Sequence, residues 1–108
     1  MRMWNVDPEV LCLNHILGEH AETHMFLGTI KKGTSVKGYI NNGLLEIHNL
    51  KSRHEELKNE MIKRGMNHNS EFGEFESWTE GYVDSENNLN ELKKRCEKCY
   101  KRILDKNI

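Results

Sequence analysis

The chain has 108 residues, the size of one domain. A chain this long buries about 65% of the surface its unfolded form exposes, enough for a core without disulfide staples. Charged residues make up 31%, the hydrophobic class 36%, and the net charge is −1, which argues against a generic polycationic binder of nucleic acids.

No apolar run approaches the length of a membrane-spanning helix. Met1 to Asn5 holds no apolar signal-peptide core. Three cysteines, an odd number, fit reduced thiols in a cytoplasmic protein. The Lys/Asn/Glu-rich usage fits an AT-rich genome such as a phage's.

Residues 1–6 read as a short arm. Asp7-Pro8-Glu9 is a helix start, with Asp as N-cap, Pro at the first helical position and an acid in the first turn. The pattern predicts a first helix over about Pro8–Leu27, ended by Gly28, and then a loop over 28–43. A second helix is predicted over about Leu44–Arg64. Its stripe is Ile47, Leu50, His54, Leu57 and Met61, at the spacing of one buried face, and Gly65 supplies the stop. Residues 66–84 read as a loop whose Phe72, Phe75, Trp78 and Tyr82 wrap it onto the core. A third helix, about Ser85–Leu104, aligns Leu89, Leu92, Cys96, Cys99 and Ile103. The expected fold is all-α: one compact domain over 1–108, with three main helices and long loops.

Charge is unevenly spread. Residues 67–88 carry six acids and no Lys or Arg, and 89–108 carry seven Lys/Arg against three acids. A local basic face is therefore available, although long-range steering toward DNA is weak.

The first helix carries polar residues where a plain amphipathic helix would not. At about 100° per residue, His15, Glu19 and Glu22 form one line, with Leu11 above and Phe26 below. His20 and His24 lie nearly opposite, beside Leu13 and Leu17, and Gly18, Ala21 and Met25 add a third sector. Apolar residues on several sides predict a central helix surrounded by neighbours. The acidic line then sits in a partly enclosed site, where a carboxylate can serve as acid or base. The bland alternatives are solvated surface acids at Glu19 and Glu22, and a hydrogen-bonded core histidine at His54. His15, Glu19, His54 and His68 can also converge on a metal, but His20-Ala21-Glu22-Thr23-His24 lacks the zinc-helix order. Cys96-x-x-Cys99 has no second Cys pair, and both thiols fall on the apolar stripe, which reads as core packing; redox or metal chemistry is the alternative.

Taken together, several segments resemble the pyrimidine-dimer DNA glycosylases of the phage endonuclease V type. They are Leu11-x-x-x-His15-x-x-x-Glu19-x-x-Glu22, Phe26-Leu27-Gly28-Thr29-Ile30-Lys31-Lys32, Leu50-x-x-Arg53-x-x-Glu56-Leu57 and Lys63-Arg64-Gly65-Met66-Asn67. The chain is more similar still to a short subfamily that begins Met-Arg-x-Trp. That group carries the motifs found here at Leu17–His20, Arg53–Leu57 and Arg64–His68. The likeness covers roughly residues 1–70.

The resemblance implies a DNA repair-type glycosylase with abasic-site lyase activity. In that chemistry the α-amine of the first residue attacks C1′ of a damaged nucleotide, expels the base and forms an imine, which then eliminates the 3′ phosphate. Met1 takes the nucleophile position, and Glu22 the position of the Glu that stabilises the sugar cation and moves protons. Arg2 takes the place of a DNA-contacting arginine. His15, Glu19, Arg53, His54 and His68 are the expected supporting residues; His15 and His54 would orient Glu22 or a base. The large Arg2 predicts that Met1 is retained. An α-amine titrates at about 7.7–8.0, far below lysine, so an appreciable neutral, nucleophilic fraction exists at pH 7. The implied partner is damaged or abasic DNA, bound by a monomer with no membrane, no metal and no cofactor. The family's arginines one residue before and three after the catalytic Glu are Ala21 and Met25 here, and its aromatic, basic tail is absent. A non-catalytic binding or regulatory relative is therefore the alternative reading, with a metal-dependent hydrolase using the His/Glu cluster as the third.

Overall fold

A computed structural model describes residues 1–68 and 70–106. Asp7 does open a helix, its side chain accepting from Glu9 N at 3.0 Å, but only a 3-10 turn, Pro8–Val10. The chain then extends through Leu11 and Cys12 before α1, Leu13–Lys31. Two arginines hold this break in place. Arg64 donates to the carbonyls of Pro8 and Leu11 at 3.1 and 2.9 Å, and Arg102 to that of Glu9 at 2.8 Å.

Gly28 does not stop α1 as the sequence suggests. The helix runs on to Lys31, and Gly33 beyond it, with a φ of +75°, gives the left-handed turn a helix end needs. Thr34 N then returns to Thr29 O at 3.1 Å. The predicted 28–43 loop contains a short helix, α2, Lys37–Asn41, from which Tyr39 sets its ring edge-on to Phe26 at 5.1 Å.

The second long helix starts later than its apolar stripe. Leu44 lies outside the helix, and its carbonyl accepts from Met3 N at 2.7 Å. A 3-10 turn, Ile47–Asn49, leads into α3, Leu50–Lys63. The stripe itself holds: Ile47, Leu50, His54, Leu57 and Met61 are all buried.

The predicted third helix is two, α4 (Ser85–Arg95) and α5 (Glu97–Lys106), broken at Cys96. Extended backbone there (φ −130°, ψ 104°) turns the thiol away from the helix line and toward Cys12. The fold is all-α, with five helices rather than three among the described residues. No helix there is long and apolar enough to cross a membrane.

Two apolar clusters flank the α1–α3 contact. One joins Trp4, Leu11 and Ile16 to Leu57, Met61, Leu92, Cys99 and Ile103. The other joins Met3, Phe26 and Leu27 to Leu45, Ile47, Leu50, Phe72 and Val83. The loop aromatics divide. Phe72 and Phe75 pack on the second cluster, whereas Trp78 and Tyr82 stay exposed. The loop is fixed by backbone and carboxylate contacts instead. Ile47 N donates to Glu80 O, and the buried Glu46 carboxylate accepts from Val83 N at 2.8 Å. Nor is α1 enclosed on all sides. Leu13, Leu17, Ala21 and Met25 lie on a face open to solvent, and the face toward α3 carries the burial.

Candidate active site

The arm is pinned residue by residue. Met3 enters one apolar cluster and Trp4 the other. Asn5 turns the chain with a φ of +56°, a conformation asparagine tolerates better than most residues. Asn88 of α4, itself buried, donates to Trp4 O at 2.9 Å and accepts from Arg2 Nη2 at 2.8 Å.

This anchoring lays the chain start over α1. The α-amine of Met1 lies 4.0 Å from Glu22 Oε1, and Arg2 N donates to Glu22 Oε2 at 3.3 Å. Both oxygens of one helix carboxylate thus face the first peptide unit. Glu22 keeps 29% of its side chain exposed, so a substrate can reach it. It borders a cleft of about 230 Å³ lined also by Arg2, Trp4, Asn14, His15, Gly18 and Glu19. The Arg2 guanidinium stacks on the Trp4 ring at 3.7 Å, and Arg95 approaches the same ring at 5.5 Å. Burial and then the nearby Arg95 charge pull the Arg2 guanidinium below its ordinary value. A second cleft, of about 500 Å³, opens beyond Arg2 and carries Asp84 and Glu91.

The remaining sequence-predicted residues are placed differently. Glu19 is not a solvated surface acid. It is buried and held by two donors of Arg53, Nε at 2.6 Å and Nη2 at 2.8 Å. Arg53, equally buried, also donates from Nη1 to Val6 O at 2.6 Å. The pair therefore ties α1, α3 and the arm together in the middle of the polar seam between the two apolar clusters. His15 turns its Nδ1 to Cys12 Sγ at 3.2 Å and Cys99 Sγ at 3.5 Å, and its ring to Trp4. His54 and His68 gather with His20 and His24. None of these contacts orients Glu22.

Among the described residues, two groups of four side chains could hold a metal ion. Cys12, His15, Cys96 and Cys99 form one, and His20, His24, His54 and His68 the other; in each, four ligand atoms lie within 4.8 Å of one another. Burial, then the neighbouring imidazoles, pushes His20 down to about 4, and burial also lowers His24 and His54. Burial pushes the Cys99 thiol up to about 12. At Cys12 and Cys96 burial acts in the same direction, but hydrogen bonds outweigh it and leave both thiols below their ordinary value. For Cys12 the main such bond comes from His15.

Sequence reasoning missed Asn88 and Arg95, which lie beyond the segment carrying the resemblance. It also missed Cys12-x-x-His15, the partner pair that Cys96-x-x-Cys99 lacked. That spacing is visible in the sequence and is the signal that could have found it.

The structure thus sets the first residue against a helix carboxylate, beside a cation stacked on tryptophan. The family model described as pyrimidine dimer DNA glycosylase matches residues 1–74, and the chain belongs to that family. No curated protein and no solved structure matches the chain.

Proposed function

We propose that the protein removes a damaged base from DNA and then cleaves the abasic strand, with the Met1 α-amine as nucleophile and Glu22 as its proton carrier. The observation that carries this reading is the 4.0 Å approach of the amine to Glu22 Oε1. It is supported by the Arg2 N–H on the other oxygen and by membership of a DNA glycosylase family.

The neutral amine attacks C1′ as the bond from C1′ to the base breaks, and Glu22 carries a proton from the ammonium so formed to the departing base. The nitrogen lone pair then expels O4′, which takes a proton from water to become a hydroxyl, and a protonated imine results. Removal of a C2′ proton then expels the 3′ phosphate, and water returns the free amine. A carboxylate beside C1′ also stabilises the cationic character that develops there. Arg2 and Arg95, both against Trp4, place two cations at the rim of the cleft, where they can meet phosphates. Arg95 offers, from α4, a grip that Ala21 and Met25 do not.

Borohydride reduction of the protein mixed with an oligonucleotide carrying one abasic site tests the reading. A covalent complex mapped by mass to the Met1 amine is expected. Glu22→Gln should slow turnover by about 10²–10⁴-fold, the usual contribution of a proton-transfer group, with its circular dichroism unchanged. No complex, with Met1 intact by mass and the fold retained, would favour the non-catalytic reading.

A further inference from the structure

The geometry points to a zinc ion held by Cys12, His15, Cys96 and Cys99. These residues form a Cys-x-x-His pair and a Cys-x-x-Cys pair, 84 residues apart in the chain from Cys12 to Cys96 and joined by the fold. Zinc bonds sulfur at about 2.3 Å and nitrogen at about 2.0–2.1 Å, so a tetrahedron around it has sulfur–sulfur edges of about 3.8 Å and sulfur–nitrogen edges of about 3.5 Å. The observed edges are 3.8 Å from Cys12 Sγ to Cys96 Sγ, 3.5 Å from Cys99 Sγ to His15 Nδ1 and 3.2 Å from Cys12 Sγ to His15 Nδ1. A disulfide would require sulfurs about 2.05 Å apart, and all three cysteines are free.

The backbone is arranged for thiolates. Cys12 is the N-cap of α1, and Cys96 stands just before α5. Helix N-termini stabilise thiolate charge. Cys12 N donates to Cys99 Sγ at 3.2 Å, and Cys99 N to Cys96 Sγ at 3.4 Å. The break between α4 and α5 thereby acquires a reason, since a continuous helix would carry the Cys96 thiol past this point. The site fastens the segment beyond the family match to the start of α1.

A separate observation assigns a second site, for a divalent transition-metal ion, to His20, His24, His54 and His68. Four rings from α1, α3 and the loop after α3 present the same atom. His20 Nε2 lies 3.2 Å from that of His54 and 2.8 Å from that of His68, and His54 Nε2 lies 3.1 Å from that of His24. A neutral imidazole Nε2 has either one proton or one lone pair, so three such contacts cannot all be well-formed hydrogen bonds when two of the nitrogens serve two neighbours each. A cation at the point where four lone pairs meet satisfies all of them; for zinc the nitrogen–nitrogen edge is about 3.3 Å. Behind the ligand, His54 Nδ1 meets Glu55 Oε1 at 3.3 Å, the carboxylate support usual for a metal-bound imidazole.

Elemental analysis of untagged protein, purified without chelator, tests both sites. Two metal equivalents per chain are expected, at least one of them zinc. Reconstitution with Co²⁺ should give a thiolate-to-cobalt charge-transfer band. That band should vanish in Cys12→Ser/Cys96→Ser and persist in His20→Gln/His54→Gln, each variant losing one equivalent. Where a variant fails to fold, wild-type protein decides. Titration with an organomercurial should release one zinc equivalent per three thiols blocked, and leave the histidine-held ion in place. Metal below a tenth of an equivalent in folded protein overturns both assignments. A single equivalent overturns the site whose signature is missing, and loss of thiols to a disulfide overturns the cysteine site.

Discussion

Arg53→Met tests whether the polar seam between α1 and α3 is structural. The substitution leaves the Glu19 carboxylate buried with neither of its two guanidinium donors, and it leaves Val6 O without its partner. Removing one member of a buried ion pair costs about 3–5 kcal/mol, and an orphaned carbonyl adds about 1–3 kcal/mol, less than additively. A chain of 108 residues has a total stability of about 5–16 kcal/mol at the usual per-residue value, so the variant should lose about a quarter of it or more. Urea titration followed by circular dichroism measures this directly. The double variant Glu19→Met/Arg53→Met removes the stranded charge and should recover most of the loss, because an apolar pair of similar volume often replaces a buried ion pair at little cost. A single variant losing less than about 1 kcal/mol, the range of solvated surface pairs, would refute the reasoning. So would a double variant as unstable as the single.

Other perturbations probe the supports of the arm and the loops. A methyl group at Gly81 would lie 2.2 Å from Leu45 O, at a φ of +94°. Gly81→Ala should therefore lower the urea midpoint by an amount equivalent to about 1–3 kcal/mol of backbone strain or more; an unchanged midpoint would show that the loop rearranges freely. Asn88→Leu removes the clamp on Arg2 and on Trp4 O. Hydrogen exchange at residues 2–5 should accelerate, whereas unchanged exchange would mean that Met3 and Trp4 hold the arm by packing alone. Hydrogen bonds from Lys106 and then Lys63 pull the Glu9 carboxyl down to about 2 from 4.5. Its folded value lies below its unfolded one, so its stabilisation is complete above about pH 4.5 and is lost as pH falls toward 2. The melting difference between the native chain and Glu9→Gln should accordingly be constant near neutrality and vanish in acid; a difference that persists at pH 2 would contradict this.

What the sequence discloses follows from whether the signal is local. The α3 stripe is legible because five apolar or half-polar positions repeat at the helical period, and all five are buried. That the arm lies over Glu22 is not readable from helical periodicity; only the family resemblance points to that pairing. Helix ends are less legible. Gly28 follows Leu27 and Gly33 follows Lys32, and the backbone angle is what separates a glycine inside the helix from one just past its end. The α4–α5 break is invisible for a related reason. Cys96 continues the apolar stripe at the right spacing, and the thiol it faces, Cys12, is far away in sequence. Glu19 and Glu22 stand three residues apart on one helix face. Nothing local states that Arg53 takes the first and the chain start takes the second.

The family match ends at residue 74, yet the folding unit does not. The cluster around Leu11, Ile16, Leu57 and Met61 is closed by Leu92, Cys99 and Ile103 of the last two helices, and the arm is clamped by Asn88. Each apolar side chain of this kind contributes about 1.5–3 kcal/mol on burial. Removing three of them also uncovers the side chains they shield, so the deficit approaches the whole stability of a small domain. A fragment of residues 1–74 should therefore show no cooperative thermal transition and give no borohydride-trapped complex, although it retains Met1, Arg2, His15 and Glu22. A cooperative transition in that fragment would show that the first three helices fold alone and that α4 and α5 are an accessory. Its absence would mean that the site at the chain start is held in place by residues no family motif includes.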